Sequence, residues 1–207
     1  MKSRVIIAIV FISLGLIIAF VPENTTSPYK LNAAELLDEV KGGTQFVHPD
    51  QVADMIVQDQ PTMQLIDIRS KEEFEEYALP GAFNIPLDDI LAEEWKPYLN
   101  QDVYLNVFYS NGTTRANEAW MITRQLGYKN NYVLQGGLNY WVETVLNPEK
   151  PDMTSPDDEF AKYNYRKAAS NALGGGGAIE QKQDVEPAKL PPIRKGNKKK
   201  MVQGGCS

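Results

Sequence analysis

A chain of 207 residues with one cysteine, one histidine and a formal net charge of −6 excludes several classes at once. A lone thiol forms no internal disulfide, and one histidine with one cysteine gives no ligand cluster, so neither a disulfide scaffold nor a metal or cofactor centre is expected. The charge is +2 over residues 1–22 and +4 over 179–207, which leaves −12 between them, and an acidic body repels nucleic acid phosphates.

Lys2 and Arg4 precede an apolar run from Val5 to Val21 broken only by Ser13 and Gly15. The run is near the lower limit for a bilayer span and long for a signal-peptide core. As a retained transmembrane anchor it puts the rest of the chain on the non-cytoplasmic, periplasmic side of a bacterial envelope. If it is a cleaved signal, the product is an exported soluble protein.

Asn32, with Glu35 three residues later, has the spacing of a capping box, and Gly42-Gly43 closes the short helix that follows. Residues 45–48 read as a brief edge strand, and Pro49-Asp50 starts a helix through Ile56 with Val52, Met55 and Ile56 on one side. Met63 to Ile68 and Val103 to Tyr109 read as strands covered on both faces, because neither alternates cleanly between apolar and polar. Between them come a helix over Lys71 to Tyr77, a turn at Pro80-Gly81 and a short strand Phe83 to Pro86. Thr113 to Leu126 is the strongest helix, with Ala116, Ala119, Trp120, Thr123 and Leu126 on a common face and Gly127 as its stop. A strand at Tyr132 to Leu134 and a helix over Leu138 to Val145 complete the pattern. Strands alternating with helix-length crossovers imply an α/β fold, a mostly parallel sheet with helices on both faces. After Pro148 the domain is expected to weaken into a loop, a short helix over Phe160 to Ala169 and a Gly-, Pro- and Lys-rich tail.

Ligands in such folds sit beyond the carboxyl ends of the strands. The stretch Ser110-Asn111-Gly112-Thr113-Thr114-Arg115 occupies that position, between the strand ending at Tyr109 and the strongest helix. Backbone N–H groups at a helix start favour an anion, and Arg115 adds a fork of donors. The opposing reading is a tight turn whose Arg115 meets a structural carboxylate. Asp67 and Arg69 at a strand end read as structural support, with Arg69-Ser70 and Glu72-Glu73 forming a capped helix start beside a salt bridge. Gly136-Gly137 lets backbone pass close to a neighbour, with Trp141 buried as an anchor. His48, far from the loop in sequence, reads as a bystander.

Three stretches in order resemble the rhodanese-like domain family. Leu65-Ile66-Asp67-Ile68-Arg69, Glu73-Phe74 and Leu79 to Pro86 resemble its first signature, and Val133 to Leu138 with Trp141 its second. The likeness covers about residues 44 to 147. It implies a five-stranded parallel sheet and, in active members, transfer of sulfane sulfur from donors such as thiosulfate through a persulfide on a cysteine that opens a six-residue loop. Ser110 stands at that position here. The loop glycine is displaced to Gly112, Ala116 replaces a frequent serine, and Tyr77-Ala78 replaces a frequent glycine-histidine pair. The six-residue length argues against the phosphatase activity of members with longer loops.

The sequence therefore divides into an N-terminal signal or anchor (1–22), a helical lead-in (23–43), a rhodanese-like domain (44–147), a C-terminal extension (148–173) and a flexible tail (174–207). A hydroxyl carries no persulfide, so Ser110 marks a degenerate nucleophile position. The expected function is an envelope module that binds a small oxyanion, such as thiosulfate or sulfate, or a protein partner at residues 110–115. Two alternatives stand beside it: sulfur transfer through the tail thiol Cys206, and a pure scaffold docking an envelope protein through its acidic surface and Phe160, Tyr163 and Tyr165.

Overall fold

The computed structural model describes residues 3–19 and 31–174. The sheet has five parallel strands in the order β1-β5-β4-β2-β3: β1 (Phe46–Val47), β2 (Met63–Asp67), β3 (Phe83–Asn84), β4 (Leu105–Tyr109) and β5 (Asn131–Leu134). The expected edge position of the first strand and the parallel crossovers are both realised. The long strand begins at Leu105 rather than Val103.

Alternate residues of each central strand enter two separate cores. Leu65, Val107, Tyr109 and Leu134 join α3 (Pro49–Val57), α7 (Gly137–Trp141) and α8 (Asp157–Ala172) through Val52, Ala53, Leu138, Trp141 and Ala169. Ile66, Phe108 and Val133 face the other way, toward Leu36 of α2 (Ala33–Gly42), Leu99 of α5 (Lys96–Leu99) and Ala116, Ala119 and Trp120 of α6 (Thr113–Gln125). Leu126, expected on that buried face, is instead exposed, because α6 ends before it and Gly127 turns the chain in a left-handed conformation.

Three carboxamides cross the sheet on the second face. Gln64 pairs in register with Asn106, and Asn106 with Asn131. Asn106 Nδ2 donates to Asn131 Oδ1 at 2.8 Å and to Tyr98 O at 3.0 Å, and Asn131 Nδ2 donates to Leu99 O at 3.1 Å. Asn106 and Asn131 thus hold the α5 crossover, a short helix that sequence periodicity did not reveal, against the amino ends of the strands, while Gln64 Oε1 stays buried without a partner.

Local chemistry sets the helix ends. Asn32 and Glu35 form the expected capping box, and Gly43 closes α2 in the left-handed conformation. Ser70 and Glu73 make a second box at the start of α4 (Lys71–Glu76). The helix after Gly137 loosens into a π turn over Val142–Leu146.

Two expectations are corrected. The extension after Pro148 does not weaken: α8 runs the full 16 residues and docks on α3, with Arg166 bidentate to Asp50 at 2.7 and 2.9 Å, Tyr165 Oη donating to Asp50 O and Ser170 Oγ to Leu146 O. The second concerns the N-terminal transmembrane anchor. Helix α1 (Ser3–Ala19) has 17 residues, about 25 Å at 1.5 Å per residue, and no helix among the described residues is long and apolar enough to cross a membrane.

His48 has a structural task rather than none. Its Nδ1 accepts from Asp50 N at 3.2 Å and caps α3, which requires that nitrogen to be unprotonated. Burial lowers its pKa below 6.5, with Lys162 and Arg166 pushing the same way and Asp50 opposing. The unfolded chain therefore binds the proton more readily, so the His48 contribution is complete above pH 6.5 and is lost as pH falls through the region below it. Urea unfolding between pH 7.5 and 5.5 should show this decline, and His48→Asn, which keeps a capping acceptor, should flatten it; an identical slope in both proteins would refute the assignment.

Candidate functional site

The loop at the carboxyl end of β4 is fixed from below by one buried ion pair. Asp67, at the end of β2, is fully buried and accepts from Arg69 N at 2.9 Å, from Nε at 3.0 and 3.1 Å and from Nη2 at 2.6 Å. A buried carboxylate is tolerable only when its lone pairs are satisfied in this way. Burial opposes the Arg69 charge, but the Asp67 hydrogen bonds and field outweigh it and hold the guanidinium pKa above its ordinary value. The remaining Arg69 donors reach Tyr77 O and, at 3.2 Å, Asn111 Oδ1.

Asn111 passes the connection on. Its Nδ2 donates to Glu73 Oε1 at 2.7 Å, so the second residue of the loop is held between the end of β2 and the start of α4. That bond, followed by the Ser70 backbone, lowers the Glu73 pKa and keeps the carboxylate ionised. The sequence pattern placed a salt bridge beside the capped start of α4. The structure forms it between Arg69 and Asp67, and Glu73 is reached through Asn111. Residue spacing pointed to Glu73 and Asn111 separately and carried no signal that they meet, since 38 positions separate them.

The other wall is backbone. Leu138 N donates to Ser110 O at 2.9 Å and Asn139 N to Asn111 O at 3.0 Å, while Gly136 N donates to Thr113 Oγ1 at 2.9 Å. Gly136 and Gly137 have φ of 76° and 62°. A Cβ on Gly137 would lie 2.5 Å from Ser110 O and 2.8 Å from both Gly112 N and Cα, so only glycine lets α7 approach the loop this closely. Trp141, 1% exposed, anchors the same short helix in the core. Tyr109, just before the loop, is buried and its hydroxyl accepts from Leu79 N at 3.2 Å; burial first, then the Asp67 charge, raises its pKa well above the usual range. Nothing in the sequence pattern pointed to that hydroxyl.

The loop itself has open valences. Ser110 is 3% exposed and its hydroxyl has no hydrogen-bond partner among the described residues. The N–H groups of Gly112, Thr113, Thr114 and Arg115, the start of the 13-residue α6, are likewise unpaired among the described residues, and Gly112 provides no capping side chain. Arg115 is exposed and without a partner there, so the expected alternative of a structural carboxylate for it is not realised. Donors, a helix dipole and a free guanidinium can stabilise an anion; no group among the described residues supplies a sulfur nucleophile. Cys206 lies outside the described residues. A cavity of about 260 Å³ lined by Glu39, Gln45, Trp120, Arg124, Tyr128 and Asn131 opens elsewhere, at the amino end of β5, and is remote from this chemistry. No cluster of three or more metal-ligating side chains occurs among the described residues.

Comparison with known proteins adds the family. The model of the family described as "Rhodanese-like domain" matches residues 48–144. Those residues form a rhodanese-like domain. The adenylyltransferase and sulfurtransferase UBA4 of the yeast Scheffersomyces stipitis is 29% identical over 110 residues, covering 49% of this chain and 24% of that protein. The uncharacterized protein YqhL of Bacillus subtilis is 35% identical over 78 residues, covering 38% of this chain and 60% of its own length. The chain thus spans about a quarter of the first of these curated relatives and three fifths of the second. Among solved structures, the human single-domain sulfurtransferase TSTD1 aligns at 23% identity with a TM-score of 0.40, over 48% of this chain and 96% of that one. The rhodanese-related protein of Thermoplasma volcanium aligns at 22% identity with a TM-score of 0.40, over 47% and 90%. The rhodanese-like domain here carries two additions outside the matched residues, α2 at one end and α8 at the other.

Gly137→Ala tests the backbone wall. The added methyl must displace Ser110 or Gly112 and also occupies a left-handed conformation, so the expected loss is more than about 1 kcal/mol, read by chemical denaturation together with amide shifts at residues 110–113. Unchanged stability and unchanged loop shifts would mean that the approach is looser than described.

Proposed function

We propose that this protein binds a small sulfur oxyanion at residues 110–115 without passing sulfur through the domain. The carrying observation is the conjunction of an unpartnered Ser110 hydroxyl, on a residue only 3% exposed, with four N–H groups at the start of α6 and an Arg115 side chain that have no partner among the described residues. Preorganised donors of this kind stabilise negative charge and need no reorganisation when it arrives. They do not replace the atom that a persulfide requires. A serine hydroxyl becomes a nucleophile only beside a general base. No basic group is hydrogen-bonded to it among the described residues: Asp67 pairs with Arg69, and Glu73 accepts from Asn111 and Ser70 N rather than from Ser110.

Attachment to an envelope membrane through residues 5–21 belongs to the same proposal. It is supported by the exposure of residues Ser3 to Leu16 of α1, a mostly apolar surface that nothing among the described residues covers.

With thiosulfate as donor and cyanide as acceptor, the full-length protein should form no thiocyanate above the uncatalysed rate, while sulfate or thiosulfate titration shifts the amides of residues 110–115. Ser110→Cys should gain turnover, because the cup then surrounds a thiol whose thiolate the same donors favour. Turnover proportional to protein that survives Cys206→Ser would overturn the reading.

A further inference from the structure

The walls of the cup carry opposite charge. On one side stand the N–H groups at the start of α6 and the unpartnered Arg115. On the other, Glu73 is fixed within 2.7 Å of the loop by Asn111. Around it, Glu72, Glu75 and Glu76 are exposed on α4, with Lys71, which pairs with Glu75 at 3.7 Å, as the only cation of that helix. Asp88 and Asp89 are exposed in the 3-10 turn Leu87–Asp89 that follows β3, and Leu87 N bonds Ile68 O beside the end of β2. Arg69 offsets little of this: its field reaches Glu73, but its charge is matched by Asp67.

A compact dianion entering the cup gains the N–H donors and Arg115 but also meets a fixed carboxylate. A carboxylate held against the loop disfavours a second negative charge there even near a solvated surface. A ligand whose anionic head is joined to a cationic group satisfies both walls together, with the head on the loop donors and the cation on Glu73.

From this geometry we infer that the ligand class of the 110–115 site is a small zwitterion, an oxyanion covalently linked through a short chain to an ammonium group. The inference rests on the anion-binding reading above and refines it. Binding is non-covalent, so no bond is made or broken.

The test compares ethanesulfonate with taurine, which carries the same sulfonate and adds an ammonium, by amide-shift titration of the full-length protein. Taurine should bind with a Kd about threefold or more below that of ethanesulfonate, and the preference should shrink as ionic strength rises. Glu73→Gln, which keeps an oxygen acceptor for Asn111, should erase the preference while ethanesulfonate still shifts residues 110–115. A thermal melt of that variant establishes that it is folded. If it does not fold, the salt dependence in the unmodified protein decides alone. Equal affinities, or a preference unaffected by both salt and Glu73→Gln, would overturn the zwitterion inference and leave the anion site standing. Failure of both probes to move the loop amides would overturn the anion site itself and the inference with it.

Discussion

The geometry of the loop depends on the ion pair between Asp67 and Arg69. It is buried, so its energetic character differs from that of a surface pair: together the charges roughly cancel their desolvation, while loss of either partner strands the other in a medium that cannot solvate it, typically at about 3–5 kcal/mol. Because Arg69 also bonds the Tyr77 carbonyl and Asn111, the pair ties the end of β2, the exit of α4 and the entrance of the loop into one unit. The loop donors are therefore fixed in place before any ligand arrives, and preorganisation of this kind is what makes a small set of N–H groups effective.

The fold was legible because its signals are local. Alternating helix and strand lengths, the Asn32 capping box and the glycines before α7 each act over a few residues, and the parallel sheet follows from them. Features that depend on distant packing were not legible. Helix α5 is held by side-chain amides from β4 and β5, and α8 by Asp50, more than a hundred positions away. The length of α8 was underestimated because its stabilising contacts belong to tertiary structure, not to periodicity. His48 looked idle in sequence because capping by a histidine lacks the usual Ser, Thr, Asp or Asn signature.

The site shows the same division. The residue types of the loop and its place at a strand end could be read directly, as could the replacement of a thiol by Ser110. The partition of charge across the cup could not, because it depends on which carboxylate Asn111 meets and on Arg69 being used up by Asp67. Residue identity gives the inventory of charges, and folding decides which of them remain available to a ligand.

The row of Gln64, Asn106 and Asn131 has a consequence for how the strands find their alignment. Side chains on a strand alternate between faces, so sliding β4 or β5 by a single position would drive Asn106 or Asn131 into the hydrocarbon around Val107 and Leu134 and leave the Tyr98 or Leu99 carbonyl without its donor. Asn106 and Asn131 therefore act as a key cut into the middle of the sheet: a shifted pairing of β4 and β5 loses three hydrogen bonds that the native offset makes, although Gln64 Oε1 and Asn106 Oδ1 stay buried without a partner even there.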